Sequence, residues 1–405
     1  VKWSSEGVIA VLGLIAFFAS YLAGFLVRLV APRLGWVDMP GGRKMHPRPT
    51  PTAGGFAIWL GVTLPLALGY FVGGIILQEP HWAVGLAKTL RHSLSEEVLG
   101  YIPGFLAQGW RLWPMMVAAT LLCALGLWDD RVGVDWRFRL AVQVCIAVAM
   151  VLGGWRATLF LPWRLLPDVI SILWIVALVN AFNMMDNMDG LAGGVAAIGA
   201  ALLAAVMFLA DKPGSAGPQL FVGGFLIVLV GALLGFLLHN WPKARLFMGD
   251  AGSYLVGFLM AMMTLNATFA GDSLPPHAVL APLCILAIPL YDMSTVILIR
   301  LRSGRSPFVG DRSHFSHRLV ELGLTPIQAV LTIWLATATC GLGALVLHQV
   351  RPSGALVVLL IVASTLVLIR ILEAAGQRRA FHKDLDPRTH EEILGTSPGG
   401  GEPKR

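Results

Sequence analysis

Acidic residues are scarce in this 405-residue chain, 23 Asp and Glu in all, and its aspartates gather in a few short runs. The run GLWDDRVGVD sets Asp129 beside Asp130. Two neighbouring carboxylates at a helix end can hold a divalent cation, or raise one another's pKa until one serves as a base; a solvated turn is the alternative. In VNAFNMMDNMDGLAGG, Asn180, Asn183 and Asp186 follow one another at intervals of three along one helical face, with Asp189 just beyond. They offer oxygen ligands suited to Mg²⁺, with Mn²⁺ as a second choice, although Asx residues before a Gly-rich stretch can equally cap a helix. The run ARLFMGDAGSYLVGF places Asp250 between Gly249 and Gly252 where a helix should begin. Backbone N–H groups could approach a phosphate there, or Asp250 could simply be the N-cap.

Cationic residues concentrate elsewhere. RLRSGRSPFVGDRSHFSHRL (300–319) carries five arginines, among them Arg302, Arg305 and Arg312, together with His314 and His317. Such density suits a diphosphate or nucleotide, and a purely topological anchor is the competing account. The two histidines stand three apart without cysteine partners, so zinc is rejected. The stretch VDMPGGRKMHPRPTPTAGG, with Lys44 and His46, reads by itself as a rigid connector. The cysteines, Cys123, Cys145, Cys284 and Cys340, lie inside apolar stretches and read as small core residues rather than disulfide partners.

The elements that must position these groups are membrane helices. The chain is 56% hydrophobic and 13% charged, with mean hydropathy +0.74, against about 25% charged residues in soluble domains. Read against the roughly 20 residues that cross hydrocarbon, the apolar runs give eleven spans: 7–29, 54–76, 112–128, 140–154, 167–182, 191–210, 219–239, 251–269, 278–299, 326–349 and 354–372. The expected fold is an all-α, polytopic membrane protein. Lys and Arg cluster on one set of loops, which the positive-inside rule makes cytoplasmic, with the N-terminus outside and the C-terminus inside. The net charge of +7 and pI near 9.5 are accounted for by those loops, so no nucleic-acid partner is expected. The first apolar run is too long, and lacks the basic segment, for a cleavable signal peptide.

Residues 1–373 form the multi-span domain on this map. Within it 77–111, where Leu86, Leu90, Leu94 and Val98 recur at helical spacing, reads as an amphipathic helix on the outer face. The polar stretch 374–405 reads as a disordered cytoplasmic tail. Small-residue runs such as GGVAAIGAALLAA could pack helices within one chain or between two, so a homodimer stays open.

On the span map nearly all the aspartates face the cytoplasm alongside the arginines. Carboxylates, asparagines and cations at one end of a membrane bundle are what an enzyme needs to join a lipid phosphate to a nucleotide diphosphate. A transporter or channel, the rival class, calls for ionisable groups near mid-membrane and an inverted repeat; most acids lie at one end of the bundle, with Asp292 the exception inside span nine, and no repeat is evident.

RKMHPRPTPTAGG, WDDRVGVDWRFRLAVQ, NAFNMMDNMDGLAGG, LFMGDAGSYLVGF and SPFVGDRSHFSHRL, in this order, resemble the polyprenyl-phosphate N-acetylhexosamine-1-phosphate transferases, glycosyltransferase family 4. The nearest likeness is to bacterial undecaprenyl-phosphate GlcNAc-1-phosphate transferases; the phospho-MurNAc-pentapeptide transferases are more distant. The resemblance implies Mg²⁺-dependent transfer of a sugar 1-phosphate from a UDP-N-acetylhexosamine to undecaprenyl phosphate, at the cytoplasmic face of the bacterial inner membrane, opening a cell-envelope glycan such as O-antigen or teichoic acid. It further implies that Asp129 and Asp130 handle lipid phosphate or metal, that Asn183 and Asp250 serve Mg²⁺ and diphosphate, and that Asp186, Asp189, Arg139, His314 and His317 occupy motif positions. Two residues depart from the pattern: Asn187 replaces a glycine of DGxDG, and Ser316 replaces a histidine of the HxHH-type loop.

Overall fold

The structure is a computed structural model that describes residues 2–39, 49–157, 165–209, 219–267, 269, 275–311 and 313–384, with side chains as far as 373. The described residues are nearly all helical. The first helix, α1 (Ser5–Leu34), is capped by the Ser4 hydroxyl, which accepts from the Gly7 amide, and ends at Gly35 in the left-handed conformation. A two-residue hairpin, β1 (Val37–Asp38) against β2 (Thr50–Pro51), leads into α2 (Gly54–Gln78). There follow α3 (Val84–Ser93), α4 (Glu96–Ala107), α5 (Gly109–Val132), α6 (Trp136–Leu152), α7 (Leu165–Met185), α8 (Leu191–Leu209), α9 (Leu220–Asn240) and α10 (Gly249–Asn266). The chain continues through α11 (Ala281–Ile285), α12 (Ala287–Arg302), α13 (Phe315–Glu321), α14 (Pro326–Leu342) and α15 (Pro352–Asp384).

Each expected span falls on helix, but the count of eleven is not reached. Among the described residues eight helices are long and apolar enough to cross a membrane, or nine if the pair Pro276–Ile285 and Ala287–Arg302, bent by 67°, is one broken span. The two expected spans that fall short are α6, with 17 residues, and α10, whose 18 residues begin with polar and small groups. Yet α10 is the axis of the molecule. Ala251 to Thr264 are buried without exception, and the helix packs against α2, α5 and α7. It is polar and small at its start, where Gly249, Asp250, Gly252 and Ser253 stand, and it needs no lipid-facing stripe because neighbouring helices surround it.

Glycine makes that packing close. A Cβ at Gly126 of α5 would come within 2.2 Å of the Ala251 nitrogen, and one at Gly55 of α2 within 2.2 Å of the Gly252 nitrogen. The backbones of α2, α5 and α10 thus touch at the start of α10. At the periphery, α1 and α15 keep rows of exposed leucine, isoleucine and valine such as Leu22, Leu29, Leu360 and Ile371, as lipid-facing helices should.

The 77–111 segment is two helices rather than one. The apolar spacing of Leu86, Leu90, Leu94 and Val98 is real, but Leu94 is extended and Ser95 starts a new helix, its hydroxyl accepting from the Val98 amide with Glu96 and Glu97 in the first turn. The break also pairs with the N-terminus: the Trp3 amide donates to the Ser93 carbonyl and the Ser95 amide to that of Trp3. At the other end α15 continues to Asp384, past the point where apolar character stops, because AAGQRRA keeps strong helix formers after the lipid-facing run ends. Residues 385–405 lie outside the described residues.

Candidate active site

Four helix ends meet at one end of the bundle: the C-termini of α5 and α7 and the N-termini of α6 and α10. From α5, Asp129 is buried and receives three donors. The Val134 amide reaches Oδ1 at 2.8 Å, the Tyr254 hydroxyl reaches Oδ2 at 3.0 Å, and the Arg139 guanidinium donates to the same oxygen. Arg139, one turn into α6, also lies 3.6 Å from Asp250 and 3.3 Å from the Tyr254 oxygen. Asp130 accepts from the backbone amides of Asp250 at 3.0 Å and Ala251 at 3.5 Å. The phosphate-ready amides that the sequence offers around Gly249 and Gly252 are therefore occupied by a carboxylate of the chain itself. The physical reason is the anion preference of a helix N-terminus, met from within by α5.

Gly249 permits this arrangement. Its φ is +69°, and a Cβ there would stand 2.1 Å from the Thr52 carbonyl and 2.5 Å from Asp130 Oδ2. The same carbonyl belongs to the stretch after β2 that docks on the site: Phe247 donates to Pro51, and Gly54 and Gly55 donate to Phe247 and Met248. The connector read from sequence is thus a wall of the site at its base. Its cations Lys44 and His46, like Arg312, lie outside the described residues.

From α7, Asn183 donates to Asp250 Oδ1 at 2.6 Å and to the Ser253 hydroxyl at 3.1 Å. It orients Asp250 and turns its amide nitrogen, not its oxygen, toward the carboxyl. Asn180 stands one turn deeper and faces elsewhere, donating to Gln143 of α6 at 2.6 Å and to the Val176 carbonyl at 2.8 Å. Of the three residues expected on one face, two serve the site and one ties α7 to α6. Asp186 follows the helix end. Burial and the neighbouring Asp250 charge push its carboxyl up to about 8, against a hydrogen bond from the Gly249 backbone. Asp189 is an anchor, accepting from the Ala244 amide at 2.9 Å while the adjacent Gly190 amide donates to Asn240. The turn's left-handed residue is Gly190, at φ 75°, and among non-glycine described residues only Glu79 has positive φ. Asn187, where the family pattern has a glycine, consequently needs no left-handed backbone.

The arginine and histidine segment divides into a buried and an exposed set. Arg300 is buried and donates to Asp311 at 3.0 Å and to the Pro307 carbonyl at 2.6 Å. Burial works to raise the Asp311 carboxyl, but hydrogen bonds from Arg300 and Ser313 outweigh it and hold the group down at about 2. His314 Nδ1 lies 3.0 Å from Asp292, whose other oxygen takes the Phe315 amide at 2.7 Å. Asp292, the aspartate that stood apart inside a span, is the anchor of this histidine. Arg318 is buried and donates to Glu373 of α15 at 2.8 Å. Arg302 and Arg305 are exposed at the end of α12, Arg305 lying 3.6 Å from Asp311. Trp136 and Phe308 stack with ring centroids 3.8 Å apart, joining the start of α6 to this segment. Sequence reasoning missed Tyr254, Arg300, Asp311 and Glu373 as organisers. The density of arginine was visible, but not which arginines turn inward.

The donor set at the acidic centre is all oxygen. Among the described residues no three His, Cys, Asp or Glu side chains converge to hold a metal alone. Mg²⁺ does not require such a cage, since it is commonly held by one or two carboxylates together with water and substrate phosphates. Asp186 and Asp250 stand at this centre as oxygen donors of the kind such a cation takes. Asp129 and Asp130 are already supplied with donors from Val134, Tyr254, Arg139 and the first amides of α10.

The sequence profile of glycosyl transferase family 4 matches residues 112–268, the stretch from α5 through α10 that builds this centre. The chain is 32% identical to the decaprenyl-phosphate N-acetylglucosaminephosphotransferase of Mycobacterium tuberculosis, covering 93% of this chain and 92% of that one. It is 30% identical to the undecaprenyl-phosphate alpha-N-acetylglucosaminyl 1-phosphate transferase of Yersinia pestis (78% and 77%), and 28% identical to the protein of that name from Escherichia coli (80% and 79%). With a centre assembled from the matched helices and likeness over nearly the whole length, this chain belongs to the polyprenyl-phosphate N-acetylhexosamine-1-phosphate transferases of glycosyl transferase family 4.

Proposed function

We propose that the protein transfers GlcNAc 1-phosphate from UDP-GlcNAc to undecaprenyl phosphate, releasing UMP, at the cytoplasmic face of a bacterial inner membrane. The observation that carries this reading is the gathering of Asp129, Asp130, Asp186 and Asp250 at one end of an apolar bundle, with Arg139 between them. An acid cluster bordered by cations suits two phosphates that must be brought together. It does not suit a transport path, which needs ionisable groups along the membrane axis.

Mg²⁺, when bound, supplies neutralisation of the donor diphosphate. Asp250 and Asp186 are the residues that would hold it, with Asn183 fixing the Asp250 rotamer. Arg139 sits between Asp129 and Asp250, where it keeps the acids from repelling one another and faces an incoming phosphate. A phosphate monoester, with its second pKa about 6, is largely ionised near neutrality, so the lipid phosphate oxygen can attack the sugar-bearing phosphorus directly. Arg302 and Arg305, together with Lys44, His46 and Arg312 from the flanking loops, provide positive charge for the departing UMP. His317 belongs to the same segment. A covalent aspartyl intermediate is the two-step alternative, and trapping a phosphorylated enzyme would displace direct attack.

The test uses membranes containing the full chain, given undecaprenyl phosphate, Mg²⁺ and UDP-GlcNAc, with UMP and the lipid product followed. Turnover lost on EDTA and with Asp250→Asn supports the reading. A membrane-inserted chain inactive with every UDP-N-acetylhexosamine overturns it.

A further inference from the structure

The turn that carries Asp186 and Asp189 and the short helix α13 are more than a hundred residues apart in sequence, yet a side-chain hydrogen bond joins them: the Ser316 hydroxyl donates to Asn187 Oδ1. Ser316 is 1% exposed, so its hydroxyl has little access to water as a substitute partner. The Asn187 amide is pinned from its other side, Nδ2 donating to the Met184 carbonyl at 2.9 Å, which leaves the oxygen aimed at Ser316. Position 187 has no left-handed backbone to satisfy. What asparagine adds there is the side chain.

Both partners sit on anchored ground. Behind Ser316, His314 is tied to Asp292 on α12 and Arg318 to Glu373 on α15. Behind Asn187, Asp189 and Gly190 are tied to the 240–246 stretch. The bond therefore links two rigid blocks, one bearing the acids and one bearing the histidines and arginines. The two positions are also the two that depart from the family pattern, and each explains the other. A glycine at 187 would leave Ser316 without its acceptor, and the serine at 316 supplies the hydroxyl that Asn187 Oδ1 meets.

We infer that the Asn187–Ser316 pair is a positioning latch. It fixes the height of the His314–His317 segment over the Asp186 turn, so that the nucleotide donor meets cations and acids in one register. This rests on the transferase reading of the site. The lipid acceptor approaches from the membrane and does not depend on the latch.

The experiment is a double-mutant cycle on the full chain in membranes, with Ser316→Ala, Asn187→Ala and the pair, reading KM for UDP-GlcNAc and for undecaprenyl phosphate separately, alongside thermal unfolding. Each single substitution should raise the donor KM about three- to tenfold, the scale of one buried hydrogen bond, and leave the acceptor KM unchanged. The double variant should be no worse than the worse single. Ser316→Thr, which keeps the hydroxyl, should retain the donor KM, and Asn187→Gly with Ser316→His together should outperform either alone. Additive losses, equal effects on both KM values, or a lowered unfolding temperature with unchanged kinetics would each overturn the latch. A wild type that does not turn over UDP-GlcNAc counts against the transferase reading alone. In that case UDP binding by equilibrium titration reads the same cycle, with non-additive weakening expected and additive or absent weakening overturning the latch.

Discussion

On the acidic side of the site, Asp130 is fixed by two backbone amides of α10, and the approach that makes this possible depends on Gly126, Gly249 and Gly55. On the basic side, Arg300, His314 and Arg318 are fixed by carboxylates of their own, Asp311, Asp292 and Glu373. The contrast is one of mechanism. Asp130 is placed by main chain in van der Waals contact, which tolerates no added volume, whereas the buried arginines are placed by ion pairs, which tolerate no lost charge. The first gives the acidic side a rigid cluster of like charge, as the proposed binding of divalent metal and diphosphate would require. The second gives the basic side a segment held firmly beneath while Arg302 and Arg305 remain exposed above.

Breaking a buried pair on the basic side should cost most. Glu373→Ala leaves the Arg318 charge buried, and unfolding in detergent should show a loss of about 3–5 kcal/mol; a Glu373→Leu, Arg318→Met pair should recover most of it. If Glu373→Ala unfolds like the wild type, the basic side is not held by charge. Next in size, Asp250→Asn should lower kcat about 10²–10³-fold with a nearly unchanged unfolding temperature, because the acid serves substrate rather than fold; a large drop in that temperature would reverse the assignment.

Volume distinguishes the sides at a smaller scale. Gly126→Ala pushes a methyl into the Ala251 backbone and should cost about 1–3 kcal/mol along with most turnover, whereas Gly310→Ala, whose Cβ position meets none of the described residues beyond its chain neighbours within 4 Å, should leave both unchanged. Equal tolerance at the two glycines would erase the comparison. Mildest of all should be Phe308→Ala, which removes the stack on Trp136 and should cost about 0.5–1.5 kcal/mol, seen as faster protease cleavage between α12 and α13 without loss of the acidic centre. A collapse of kcat as deep as that of Asp250→Asn would mean that the stack is part of the chemistry.

Much of the site is legible in the order of residues alone. Asp129, Asp130, Asp186 and Asp250 are conspicuous because a chain so apolar keeps few acids, and hydropathy puts each at a helix end. The division of labour among them is not legible. Nothing in WDDRV says that the first aspartate will face Arg139 and Tyr254 while the second caps α10, since adjacent helical residues point about 100° apart and the partners on α10 lie more than a hundred residues away. Asn180 and Asn183 share a face by spacing, but which neighbour covers each turn is a property of the packing. Likewise the five arginines read as one basic patch, and only burial sorts Arg300 and Arg318 from Arg302 and Arg305.

Composition dictates the solvent and the element type, because a chain this apolar satisfies its backbone in lipid only as helices. Residue order adds the inventory of acids and cations, and the family through the succession of its motifs. Packing settles the rest: that α10 runs at the centre though it is among the least apolar of the long helices, that its first amides go to Asp130, and that Asn187 and Ser316 meet. Those outcomes depend on which helix backbones can approach one another and on contacts between distant segments. Local propensity and hydropathy carry no information about either.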